Sequence, residues 1–136
     1  MINDRISLDV KDHIAHVQLS RPEKMNALDP EMFAAIPKLE EALRADKSIR
    51  VVVLSGAGDN FCAGLDKSNF RAMLSPKSDE TPQTATAGGL SKRTHGIANA
   101  PQYAAWMWRK LPMPVIAAID GVALGGGLQI LSLIHI

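Results

Sequence analysis

Pro114 to Ile130 read PVIAAIDGVALGGGLQI, an apolar run of strand length, three consecutive glycines at Gly125 to Gly127, and the start of an apolar helix. A glycine in regular structure costs about 0.5–1 kcal/mol relative to alanine, so three in a row at a strand-to-helix turn mean that the backbone itself is needed there. Amide groups at a helix N-terminus have no intrahelical acceptor, and the helix dipole favours negative charge beside them. The spacing is neither the GxGxxG of a dinucleotide turn nor the GxxxxGK[ST] of a phosphate loop, so neither nucleotide reading has its motif. Close packing of the helix against a strand is the competing explanation of the glycines.

The same pattern stands earlier in the chain. Val51 to Ser55 is another continuous apolar run; Gly56, Gly58 and Gly64 then make a turn, and Asp66 caps a helix carrying Phe70, Met73 and Leu74. Val51–Leu74 and Val115–Leu133 therefore form a weak internal repeat of strand, glycine turn and helix, of the kind that stacks successive turns of one superhelix, so that two glycine turns face one another. Both strands read as covered on both faces, as in a largely parallel sheet.

Upstream, Ile6, Leu8 and Val10 alternate with polar residues, Lys11-Asp12-His13 makes a turn, and Ala15, Val17 and Leu19 alternate again, which predicts a half-buried hairpin ended by Arg21-Pro22. Asp29 followed by Pro30 is a helix start, with Met32, Ile36, Leu39 and Leu43 on one face, a kink expected at Pro37, and Glu31, Glu40 and Glu41 as surface charges. Ser75 to Gly96 is rich in Pro, Thr, Ser and Gly without periodicity and reads as a mobile cover or an insertion. A helix with Tyr103, Trp106 and Met107 follows.

With 136 residues, 46% hydrophobic and 21% charged, the chain has the makeup of one globular domain. A net charge of +1 offers no electrostatic footprint for nucleic acid or an anionic membrane, which leaves a small molecule as the expected partner. The single cysteine, Cys62, excludes an internal disulfide, and the charged, alternating start MINDRISLDVKDH is unlike a signal peptide, so the cytoplasm is the expected compartment.

Three motifs in this order, RPEKMNALD (Arg21 to Asp29), DNFCAGLD (Asp59 to Asp66) and PVIAAIDGVALGGGLQI, resemble those of the crotonase family, also called the enoyl-CoA hydratase/isomerase family. The resemblance implies an α/β fold, a superhelix of repeated strand-strand-helix turns, assembled as a homotrimer or hexamer. It also implies acyl-CoA thioester substrates, with coenzyme A as part of the substrate, no permanently bound cofactor and no metal. By match to the motifs, the backbone NH groups of Leu65 and Gly126 form a hole for a thioester enolate oxygen. Lys24, Asn26, Ala27 and Leu28, with the backbone from Ala63 and Gly64 to Asp66, contribute to the CoA groove, and Gly125 and Gln129 flank the reacting end. The residues also admit plainer roles: Asp66 as a helix cap, Lys24 as a solvated charge, Cys62 as a small buried side chain.

The chain departs from the family at Gln129, where hydratases carry a glutamate and the similar dienoyl-CoA isomerase branch an aspartate. An amide can hydrogen-bond a water or a thioester but cannot take up and return a proton near neutral pH, so hydration by two carboxylates has no support at this position. Isomerisation by one carboxylate from a later part of the fold stays open, as does hydration; a non-catalytic CoA-binding or assembly module of the same fold is the alternative. His13 and His16 belong to the hairpin, His95 has no evident partner, and Trp106 and Trp108 line an acyl pocket or the core. Residues 1–130 read as the N-terminal part of such a domain. LSLIHI, residues 131–136, matches no family segment, is similar to a translated sequencing-library adapter, and reads as a non-native tail on a fragment expected to be inactive.

Overall fold

The structure, a computed structural model, describes residues 2–68 and 93–134. Strands β1 (Ile6–Lys11) and β2 (Ile14–Leu19) form the antiparallel hairpin, with Ile6 opposite Leu19 and Lys11 opposite Ile14. The two turn residues, Asp12 and His13, have φ of 50° and 68°, the left-handed pair whose twist suits a two-residue hairpin loop. Strand β3 (Val51–Gly56) runs parallel to β2, and β4 (Val115–Ala117) parallel to β3, giving one sheet in the order β1-β2-β3-β4.

Helix α1 (Pro30–Ala45) starts as its sequence predicts: Asp29 Oδ1 accepts from the Met32 amide at 2.8 Å and Pro30 occupies the first turn. Met32, Ile36, Leu39 and Leu43 are buried, and the helix runs on through Pro37 without a break. Helix α2 (Ala100–Lys110) begins with a capping box between Asn99 and Gln102 and buries Tyr103, Met107 and Trp108. It packs between α1 and a short helix α3 (Gly126–Ser132), while α1 also contacts β1.

Two expectations are corrected. Glu40 is not a surface charge: it is 8% exposed and accepts hydrogen bonds from the Tyr103 hydroxyl and, at 2.9 Å, from Arg44 Nε, with Lys110 Nζ 3.5 Å away. Burial alone would raise the Glu40 pKa, but the bonds from Tyr103 and Arg44 outweigh it and hold the carboxyl below its ordinary value. Glu40 lies beside Leu39 and Leu43 on the face turned to α2, so its partner comes from that helix and is invisible to local periodicity. Nor are the apolar strands covered on both faces: Val52 and Leu54 are fully buried and Val51 and Val53 half-buried, while Ile116 is 50% and Ile119 55% exposed. Strand β4 is three residues long and forms the edge of the sheet among the described residues, which leaves one side of its apolar run open.

Beyond the sheet the chain forms a second, shorter parallel ladder that positions the candidate site. Leu28 bridges Leu65, with Leu28 N donating to Gly64 O at 2.7 Å and Asp66 N to Leu28 O at 3.0 Å. Cys62 bridges Ala123, with Cys62 N donating to Val122 O at 3.0 Å and Leu124 N to Cys62 O at 2.9 Å. The two glycine turns of the internal repeat thus lie side by side. Phe70, Met73 and Leu74, and most of the segment read as a cover, lie outside the described residues.

Candidate active site

The side chain of Asn26 sits at the centre of the loop after β2. Asn26, fully buried, accepts from the Arg21 amide through Oδ1 at 2.8 Å and donates through Nδ2 to Ala57 O at 2.9 Å and Asn60 O at 2.7 Å. Met25 and Asn26 have φ of 47° and 55°, a left-handed pair that folds the chain back after a 3-10 turn at Pro22–Lys24. The Asn26 side chain is therefore consumed inside the protein. Ala27 and Leu28 are buried beside it, and Lys24 is exposed at the end of the 3-10 turn with no ion-pair partner among the described residues.

The glycines of the two turns meet backbone to backbone. Gly64 has φ of 85°, and a Cβ there would stand 2.7 Å from Leu124 O and 3.2 Å from Gly126 N. In the triple glycine the three residues serve different needs. Gly125 has φ of 48°, a left-handed value that side chains resist; a Cβ on Gly127 would lie 2.6 Å from Cys62 O, so α3 can approach the backbone at Cys62 only without one. A Cβ on Gly126 would meet only the end of the Leu28 side chain, at 2.7 Å. Packing thus explains Gly127 and conformation explains Gly125. The amides of Leu65 and Gly126 have no hydrogen-bond acceptor among the described residues: Leu65 faces away from Leu28 in their parallel bridge, and Gly126 is the first residue of α3.

A charge network ties the two loops together. Arg21 donates through Nη1 to Asp66 Oδ2 at 2.5 Å and to Ala27 O at 3.2 Å, and its Nε is 3.4 Å from Asp29 Oδ2, which also pairs with Arg5 at 2.8 Å. Asp66 is at the same time a cap, its Oδ1 accepting from the Ser68 amide at 2.7 Å. That backbone bond, then the bonds from the Ser68 hydroxyl and Arg21, outweigh burial and hold the Asp66 carboxyl down at about 2. Because the folded value lies below the unfolded one, Asp66 contributes stability that is complete above about pH 4 and lost as pH falls toward about 2. Asp66→Asn is expected to flatten the acid decline of stability across that window, measured by denaturant unfolding at a series of pH values; an unchanged acid limb would show that the carboxylate is not coupled to folding. Arg21 is the residue that sequence reading missed, since beside Pro22 it reads only as the end of a strand.

Gln129 is exposed one helical turn beyond Gly126 and lines a groove of about 540 Å³ between α2 and α3, with Arg93, Ile97, Gln102, Trp106 and Ser132 among its other walls. Trp106 belongs to this groove, whereas Trp108 is buried and donates through Nε1 to Ala104 O at 2.9 Å. His95 stacks on Tyr103 with ring centroids 4.5 Å apart, and His13 Nδ1 lies 3.0 Å from Ser48 O, so neither faces the groove. Cys62 is buried, its thiol donating to Asn26 O at 3.2 Å, and burial pushes its pKa up. Among the described residues no cluster of His, Cys, Asp or Glu could hold a metal ion, and no helix is long and apolar enough to cross a membrane.

Comparison with known proteins identifies the family. A family model described as enoyl-CoA hydratase/isomerase matches residues 9–134. The chain is 36% identical to (E)-benzylidenesuccinyl-CoA hydratase of Thauera aromatica over 126 residues, covering 92% of this chain and 43% of that protein. It is 32% identical to the mitochondrial Delta(3,5)-Delta(2,4)-dienoyl-CoA isomerase of Mus musculus, covering 88% of this chain and 35% of that one. The crystal structure of an enoyl-CoA hydratase from Bacillus anthracis superposes with a TM-score of 0.74 at 28% identity, over 96% of this chain and 45% of that one. The chain spans less than half the length of these relatives. With the motifs, the fold and the family match in agreement, the chain belongs to the enoyl-CoA hydratase/isomerase family.

Proposed function

We propose that this chain binds an acyl-CoA thioester and polarises its carbonyl in a two-donor oxyanion hole, serving an enzyme that isomerises or hydrates the double bond of an enoyl-CoA. The observation that carries the reading is the pair of partnerless amides, Leu65 and Gly126, on two turns packed at backbone contact around Gly64. Removing the α-proton of a thioester puts negative charge on its oxygen, and donors already aimed at that oxygen stabilise the enolate without reorganising. Glycine at Gly64 and Gly126 keeps side chains away from that approach. The loop from Lys24 to Leu28 and the backbone of Ala63 to Asp66 form the CoA side of the site, with the exposed Lys24 as a cation for its phosphates and the Arg21–Asp66 pair joining the two segments.

Gly125 shapes the turn, and Gln129 hydrogen-bonds the acyl end or a water without exchanging a proton. No carboxylate lines the groove among the described residues, and we assign the acid or base of the reaction to a residue outside them. Assembly as a trimer or a pair of trimers accompanies the activity.

The test separates polarisation from proton transfer. The 136-residue chain is expected to bind a saturated acyl-CoA, followed by isothermal titration calorimetry, without exchanging the α-carbon protons for deuterium, followed by NMR. A chain that binds no CoA thioester would overturn the reading of the site, and rapid exchange would overturn the placement of the proton-transfer group.

A further inference from the structure

The groove between α2 and α3 holds a charge for which the proposed polarisation has no use. Its walls include the apolar Ile97, Trp106 and Leu133. Arg93 reaches into it, donating through Nη1 to Gln102 Oε1 at 2.9 Å; that oxygen also accepts from the Asn99 amide at 3.1 Å, so the group that aims the guanidinium is itself fixed by the capping box of α2. Among the described residues Arg93 pairs with no acid and none of those lining the groove is acidic. Its remaining N–H donors form a planar fork that matches a carboxylate with two parallel bonds. A plain hydrocarbon chain in the same groove would offer those donors no acceptor.

Resting on the reading of the site as a thioester-binding one, we propose that the acyl group this groove accepts ends in a second carboxylate, held by Arg93 while the thioester oxygen lies at the Leu65 and Gly126 amides. Arg93 is the specificity-determining residue, and Gln102 positions it. The substrate class is the CoA thioester of a dicarboxylic acid.

Two probes with equal carbon counts and no double bond to turn over, glutaryl-CoA and pentanoyl-CoA, test this by isothermal titration calorimetry. Arg93 is exposed, so the gain is moderate: glutaryl-CoA is expected to bind about tenfold tighter, with the ratio narrowing as salt is raised. Arg93→Gln is expected to bring the ratio to about one by weakening glutaryl-CoA alone, and Arg93→Lys to retain part of it, since an ammonium keeps the charge but not the fork. Equal affinity of the unmodified protein for both probes would overturn the proposal, as would an Arg93→Gln variant that weakens both alike. Failure to bind either probe would instead overturn the thioester reading on which the proposal stands.

Discussion

Gly126→Pro, in the protein that catalyses the reaction, is expected to lower kcat by about 10²–10³, the usual loss for one oxyanion donor. The substitution removes the amide hydrogen and puts the proline Cδ in its place. Gly126 is the first residue of α3, where an NH has no intrahelical acceptor and the fixed φ of proline is tolerated, so the helix loses no bond of its own. The added Cβ comes closest to Leu28 Cδ1, at 2.7 Å, the end of a flexible side chain that can turn aside. Gly126→Ala supplies the control, because it brings the same Cβ and keeps the NH. Steady-state kinetics should therefore show a large loss in kcat for proline and a small one for alanine. Equal losses in the two variants would mean that crowding against Leu28, and not the missing donor, sets the rate, and an unchanged proline variant would show that the amide is not used.

The parts of this molecule that could be read from the sequence are those whose causes are local. Asp29 and Pro30 announce a helix because the cap and the first-turn proline act within one turn, and the structure has both. The hairpin follows from alternation, although the turn read as Lys11-Asp12-His13 is only Asp12-His13, Lys11 being the last residue of β1. The triple glycine is legible as a demand on the backbone, but its division among conformation at Gly125, packing at Gly127 and an open amide at Gly126 depends on Cys62 and Leu28, which only the fold brings near. Causes that cross the chain stay hidden. Arg21 becomes a hub only once Asp29 and Asp66 are beside it, and Glu40 becomes a buried acceptor only because Tyr103 arrives from another helix. Arg93 likewise acquires meaning from Gln102 and the groove. An apolar run such as Val115 to Ile119 says that a strand is sticky, not which neighbour covers it, and so edge and centre look alike.

Asn26→Asp should be the most destabilising isosteric change in the candidate site, and pH should reveal why. The side chain is fully buried, with Nδ2 between the carbonyl oxygens of Ala57 and Asn60 at 2.9 and 2.7 Å and Oδ1 taking the Arg21 amide. Aspartate tolerates the left-handed φ of 55° much as asparagine does, so backbone strain cancels in the comparison. An ionised carboxylate would set an oxygen against two carbonyls in the interior, which forces the group to take up a proton. Neutralising an aspartic acid of ordinary pKa at pH 7 costs about 4 kcal/mol. The single O–H then serves only one of the two carbonyls, and leaving the other unsatisfied costs about 1–3 kcal/mol more. A loss of about 5–7 kcal/mol matches the whole stability of many domains, so the variant should be largely unfolded at pH 7. The folded pKa is raised, so the proton-uptake cost is absent below the unfolded value and grows as pH rises: stability should recover by several kcal/mol as pH is lowered to about 4. Asn26→Ala, which loses all three side-chain bonds and has nothing to titrate, should show no such recovery. Denaturant unfolding of both variants at the two pH values decides the matter. An aspartate variant as stable at pH 7 as the unmodified protein would mean that the loop carrying Leu28 is held by Arg21 and its carboxylates rather than by Asn26.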